Sequence, residues 1–107
     1  MCMTDKNVRI VNDGEVMTAF VNGEIDHHNA SSVRRKIDEE LQIRRPREMV
    51  LDLAGVNFMD SSGLGLILGR YTKATDLGAS FRVEHPTAAT LKILDLVGGD
   101  RLITIIK

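Results

Sequence analysis

The chain has 107 residues, 43% hydrophobic and 27% charged, with a formal net charge of -1. That length holds one domain that buries about 60–70% of its unfolded surface, and no window approaches the ~20 apolar residues of a membrane span. The near-neutral charge gives no global field for nucleic acid or anionic membrane, and the one cysteine, Cys2, excludes an internal disulfide and a cysteine-based metal cage.

The start, Met1-Cys2-Met3-Thr4-Asp5-Lys6, lacks the apolar region of a signal peptide, which predicts a cytoplasmic protein. Val8 to Val11 and Glu15 to Val21 are short β-type runs separated by Asn12-Asp13-Gly14, whose Asp-Gly pair suits a tight turn. They predict a hairpin. Gly23 to Asn29 follows as a polar loop, with Asn29 or His28 as the cap of the next element.

From Ala30 to about Gln42, Ala30, Val33, Ile37 and Leu41 recur at helical spacing and give one buried stripe. The opposite face carries basic-first i,i+4 pairs: Arg34 with Asp38, Arg35 with Glu39, Lys36 with Glu40. They mark a solvated face. Pro46 stops the helix, the Arg44-Arg45-Pro46-Arg47 cluster is expected as a solvated connector, with a binding patch as the alternative, and Glu48 to Leu53 predicts a strand.

Ala54 to Met59 is then expected as a loop, after which a second helix runs from near Ser61 toward Asp76, with Gly78 just past its end. Asp60 suits the N-cap, because its carboxylate can accept from N–H groups of the first turn. Leu64, Ile67, Leu68, Tyr71 and Thr75 lie along one face of this helix. Each interior glycine costs about 1 kcal/mol relative to alanine, so propensity does not account for Gly63, Gly65 and Gly69. For Gly65 and Gly69, close packing on a sheet and packing on a neighbouring protein are both open.

Ala79 to Glu84 predicts a further strand, Pro86 opens a helix from Thr87 to Val97 that Gly98-Gly99 stops, and Leu102 to Ile106 closes as a strand. The order β-β-α-β-α-β-α-β implies a single α/β domain over residues 1–107, with a mixed, mainly parallel β-sheet, crossover α-helices and an antiparallel hairpin strand at one end.

Chemistry centres on Asp60-Ser61-Ser62. Two hydroxyls in a first helical turn sit where free N–H groups and the helix dipole favour added negative charge, so a phosphate on Ser61 is locally tolerated. The plainer alternative from local chemistry is a helix cap alone. A serine nucleophile would need a base and oxyanion donors; His27, His28 and His85 lie in other loops, and no Gly-x-Ser-x-Gly elbow is present, so no catalytic residue is assigned. No metal ligand set is assigned either, since a third ligand beside His27 and His28 would have to come from Asp26, Glu24 or His85 without a recognised spacing. The phosphate-loop motif is missing, and Gly63-Leu64-Gly65 matches a dinucleotide fingerprint only in part, so no cofactor is expected.

Two segments, Gly23-Glu24-Ile25-Asp26-His27-His28 and Phe58-Met59-Asp60-Ser61-Ser62-Gly63-Leu64-Gly65 continuing through Ile67-Leu68-Gly69-Arg70-Tyr71, resemble the STAS domain family, named for sulfate transporters and anti-sigma factor antagonists. The likeness is greatest to its bacterial sporulation-type antagonists of the anti-sigma F factor. It implies that Ser61 is the phosphorylated residue and that Asp26, Asp60, Ser61, Ser62, Gly63 and Gly65 form the partner surface. It also implies that the enzyme is the partner: an anti-sigma factor serine kinase that uses ATP, holds the sigma factor, and releases it on binding the unphosphorylated antagonist. A PP2C-type phosphatase would restore the active form. A non-enzymatic STAS module regulating a transporter or a stress complex is the alternative, with direct nucleotide binding and a hydrolase behind it.

Overall fold

The computed structural model describes residues 2–4, 7–96 and 98–107. Ten elements follow in order: β1 (Cys2–Thr4), β2 (Val8–Asp13), β3 (Val16–Ile25), α1 (Ala30–Arg44), β4 (Glu48–Met59), α2 (Ser61–Asp76), β5 (Ser80–Glu84), α3 (Ala88–Leu96), α4 (Gly99–Leu102) and β6 (Thr104–Ile106). The strands form one six-stranded sheet in sequential order; β1, β2 and β3 pair antiparallel, and β3 through β6 pair parallel. The expected hairpin and crossover helices are present, with β1 and the short α4 added to the predicted order.

A parallel sheet whose strands advance in one direction, joined by crossovers of one hand, gathers its helices on one face. Accordingly α1 packs on α2 and α2 on α3. Between helices and sheet lies the core: Val8 and Ile10 of β2, Met17, Ala19 and Val21 of β3, Met49, Leu51 and Leu53 of β4, and Phe81 and Val83 of β5 alternate toward the helices. They meet Val33, Ile37 and Leu41 of α1, Leu66, Ile67 and Ala74 of α2, and Leu94 of α3.

Several sequence expectations shift. The loop expected at Ala54–Met59 is strand throughout and the one expected at Gly23–Asn29 is strand only as far as Ile25, because β3 and β4 pair on to Ile25 opposite Met59, with register shifts near Asn22 and Gly23; residues 26–29 form the expected turn. Ladder hydrogen bonds between the two segments override the turn-forming look of Gly23 and Ala54-Gly55; Gly23 takes φ +81, and a Cβ on Gly55 would lie 2.9 Å from Asn22 Cβ. The buried stripe of α2 is Gly63, Leu66, Ile67, Arg70 and Ala74, one position back from the expected face, with Leu64, Leu68 and Tyr71 partly buried at its margin. On α1, Glu40 pairs with Arg44 at 3.4 Å and Asp38 with Arg70 at 3.0 Å, so neither takes its expected intrahelical partner.

Helix ends also depart in detail. Thr87, not Pro86, sets the start of α3: its hydroxyl accepts from Thr90 N at 3.1 Å, an N-cap bond. Gly99 starts α4 where a stop was expected, and Val97 lies outside the described residues. The end of α2 is as expected: Gly78, at φ +83, gives its N–H to Thr75 O at 3.0 Å while Ala79 N reaches Ala74 O at 2.9 Å, the paired bonds of a Schellman motif.

Candidate functional site

The carboxyl ends of β3 and β4 lie side by side, and the chain leaves both into helices. Ile25 opposes Met59, and Asp60 N donates to Ile25 O at 3.1 Å, so the turn that carries Asp26 adjoins the turn that carries Asp60 and Ser61. In open α/β sheets ligands bind outside the carboxyl ends of the strands. Two turns 35 positions apart in sequence, measured from Asp26 to Ser61, thus lie side by side.

Asp60 caps α2 as the sequence predicts: its extended backbone lets Oδ1 accept from Ser62 N at 2.8 Å. Ser61 occupies the first helical position and is exposed; Ser62 is half-buried. Ser62 and Gly65 line a depression of about 330 Å³ with His27, Ser31 and Arg34, at the junction of α1 and α2. Gly65 is exposed, and neither Gly65 nor Gly69 would bring a Cβ within 4 Å of another group, so close packing on the sheet does not account for them. Gly63 differs. It is buried, and a Cβ there would lie 2.0 Å from Met59 Cγ, so this glycine seats the first turn of α2 on Met59 and offers no surface of its own.

Asp26 is held by local bonds. His28 N donates to Asp26 Oδ1 at 2.9 Å, and Asp26 N donates to Asn29 Oδ1 at 3.0 Å. The backbone N–H of His28 and, more weakly, the backbone N–H of Asn29 hold the carboxyl below its ordinary 3.8, against an opposing desolvation. Asn29 stands at the N-cap position of α1 but makes no side-chain cap bond, because its side chain is turned to this loop. His27 and His28 stack with ring centroids 4.0 Å apart.

Sequence reasoning missed Phe58 and Arg70 as features of this region. Phe58 is 54% exposed at the end of β4, beside Asp60, in a segment that the sequence presents as a loop and to which it therefore assigns no face. Arg70 is buried under α1, with Nε 3.0 Å from Asp38 Oδ1. Neither atom has a hydrogen-bond partner among the described residues, and Arg70 Nη1 is likewise unpartnered, so the link is electrostatic. Burial lowers the Arg70 pKa and Asp38 opposes that shift. A hydrophobic pattern cannot foresee a buried arginine, although its i,i+4 spacing from Leu66 was a signal.

Among the described residues neither the Ser61 nor the Ser62 hydroxyl bonds a histidine. His85 is held elsewhere, Nδ1 3.0 Å from Asp52 Oδ2. Asp52, Glu84 and His85 do bring possible metal-ligand atoms within 4.8 Å of one another. Yet Glu84 Oε2 already accepts from Arg82 Nε at 2.7 Å, and Asp52 Oδ1 from Ala54 N at 3.0 Å. Among the described residues, no helix is long and apolar enough to cross a membrane.

The domain is matched by a known family over residues 7–107, the STAS domain. The chain belongs to the STAS domain family. Among its relatives, an anti-sigma F factor antagonist of Paenibacillus polymyxa is 40% identical over 83 residues, 78% of this chain and 71% of the relative. The anti-sigma factor antagonist SpoIIAA in its unphosphorylated form superposes with a TM-score of 0.79 at 23% identity, over 94% of this chain and 88% of that one. The phosphorylated form of SpoIIAA, a Bacillus cell fate determinant, gives 0.75 at 23% identity, over 94% and 91%. The shared STAS architecture therefore extends through the sheet and helices described above.

Proposed function

We propose that this STAS domain is an anti-sigma factor antagonist, a regulatory binding protein rather than an enzyme, acting in the cytoplasm. Unphosphorylated, it binds an anti-sigma factor serine kinase and releases the sigma factor; phosphorylation of Ser61 by that kinase switches it off, and a PP2C-type phosphatase restores it. The observation that carries this reading is the exposed Ser61 hydroxyl in the first turn of a helix whose cap, Asp60, is already engaged. The relatives' names support it, and a structural neighbour is known both with and without phosphate.

The mechanism is a charge switch. A phosphoserine adds about -1.5 to -2 charge at neutral pH. The helix N-terminus tolerates that charge, so the fold need not change. A partner packed against the neutral hydroxyl loses affinity through sterics and desolvation, and about 3–4 kcal/mol corresponds to a few hundred-fold. Asp26, Asp60, Ser62 and Gly65 surround Ser61 in the proposed interface, Phe58 adds an apolar contact, and Gly63 supports the turn from beneath.

The test is to mix the protein with the kinase and ATP and locate added phosphate by intact and peptide mass spectrometry. One phosphate on Ser61, absent in Ser61→Ala, is expected, with Ser61→Ala binding the kinase persistently and Ser61→Asp binding poorly. Equal affinity of the two variants would refute the switch. No phosphate from an active kinase would point instead to the STAS scaffold or transporter-regulator role.

A further inference from the structure

Asn29 occupies a position where an asparagine ordinarily caps a helix, and it leaves α1 without a side-chain cap. Its amide is committed elsewhere. Oδ1 accepts from Asp26 N at 3.0 Å, while Nδ2 donates to Glu24 O at 2.6 Å and approaches Asn7 Oδ1 at 3.4 Å. Asn7 continues the chain of bonds: its Nδ2 donates to Asn22 O at 3.0 Å, and its carbonyl accepts from Asn22 N at 2.9 Å. One side chain therefore joins the residue before Ile25 to the residue after it, and a second ties that bend to the segment entering β2.

We propose that Asn29, backed by Asn7, is a positioning residue that fixes the Asp26 carboxylate for the anti-sigma partner. This rests on the partner-binding role assigned above. The physical reason is preorganisation. Asp26 sits at the strand-to-helix bend, 32% of its side chain exposed, and the bonds to its own backbone are local: Asn29 N at 3.2 Å and Ala30 N at 2.9 Å from its carbonyl. Without the Asn29 amide the Asp26 N–H loses its partner, and the bend is free to turn the carboxylate away from the surface it shares with Ser61. Ordering a loop on binding reduces affinity, and a loop already ordered avoids that loss. The helix cap that Asn29 forgoes is compensated by a fixed interface residue.

Calorimetric titration of the full chain with the ADP-loaded kinase tests this, using Asn29→Ala, Asp26→Ala and the double variant, alongside amide hydrogen exchange of the free proteins. Asn29→Ala is expected to weaken kinase binding about tenfold, the scale of one lost hydrogen bond. In the Asp26→Ala background the same change should cost less than about twofold, because a residue acting through Asp26 has nothing left to position. Exchange of the Asp26 amide should accelerate about tenfold or more in Asn29→Ala. An equal loss of affinity in both backgrounds overturns the proposal, as does an unchanged Asp26 amide. If the unaltered protein does not bind the kinase, or Asp26→Ala binds as well as it does, the functional reading has failed instead, while the amide still reports whether the clasp exists. Should Asn29→Ala not fold, Asn29→Ser keeps an oxygen able to cap α1 but is too short to reach Glu24 O, and carries the same expectations.

Discussion

Three glycines in one helix, placed in three different surroundings, allow the packing of α2 to be tested against propensity alone. Replacing any interior helical glycine by alanine should gain about 1 kcal/mol if nothing else changes. At Gly65 and Gly69 nothing else does: beyond the helix's own backbone, no atom lies within 4 Å of the added Cβ. Each variant is therefore expected to be about 1 kcal/mol more stable, a rise in Tm of roughly 4 °C for a domain of this size. At Gly63 the new methyl would sit 2.0 Å from Met59 Cγ and 2.7 Å from its sulfur. Met59 must then leave its rotamer, although it is only 9% exposed and has the Thr90 hydroxyl 3.9 Å from its sulfur. Overpacking of this kind costs about 1–3 kcal/mol, so the helical gain is cancelled or reversed and Gly63→Ala ends about 1 kcal/mol less stable. Urea unfolding followed by far-ultraviolet circular dichroism would resolve the gap of about 2 kcal/mol between Gly63→Ala and Gly65→Ala. Both variants shifting stability in the same direction by the same amount would refute the argument. If the surface of α2 beside Ser61 faces the kinase, Gly65→Ala should also bind it more weakly while being the more stable protein. Gain in stability with loss of binding is what a glycine retained for a partner predicts, and full binding by Gly65→Ala would remove Gly65 from the interface.

Asp38→Ala should destabilise the domain by about 2 kcal/mol, less than the 3–5 kcal/mol of a fully buried pair because Asp38 is about a third exposed; an unchanged urea midpoint would show that Arg70 needs no counter-charge. The Asp26 carboxyl should titrate below 3.8 by carbon-detected nuclear magnetic resonance. Since its folded pKa is depressed, the stabilisation it contributes is present above the unfolded value and is lost as pH falls through the folded one; a midpoint at or above 3.8 would mean that the His28 N–H bond does not hold in solution. Asn29→Ala keeps the main-chain N–H that is the second of the two backbone groups lowering the Asp26 pKa, so its midpoint should move back toward 3.8 only if loss of the side-chain bonds lets the bend turn.

The amino-acid sequence determined most of the architecture, because its signals are local. Apolar spacing in Val33, Ile37 and Leu41 requires a helix, Pro46 ends it, Asp60 caps the next one and Gly78 closes it, each through backbone chemistry within a turn of the residue itself. The pair of serines at a helix start was legible for the same reason. What the sequence left open depends on contacts between distant segments. Ala54–Met59 reads as a loop until β3 is laid beside it and its N–H and C=O groups find partners. The face of α2 is shifted by one position because Met59 fills the space above Gly63 and Arg70 meets Asp38 across the helix pair. Gly63 and Gly65 look alike in the chain, yet one is enclosed and the other open. The placing of the Asp26 turn beside the Ser61 turn follows from β3 and β4 ending side by side, and the diversion of Asn29 from capping to clasping follows from its bonds to Asp26, Glu24 and Asn7. No local pattern encodes that juxtaposition, since it exists only once the parallel ladder has brought the two strand ends together.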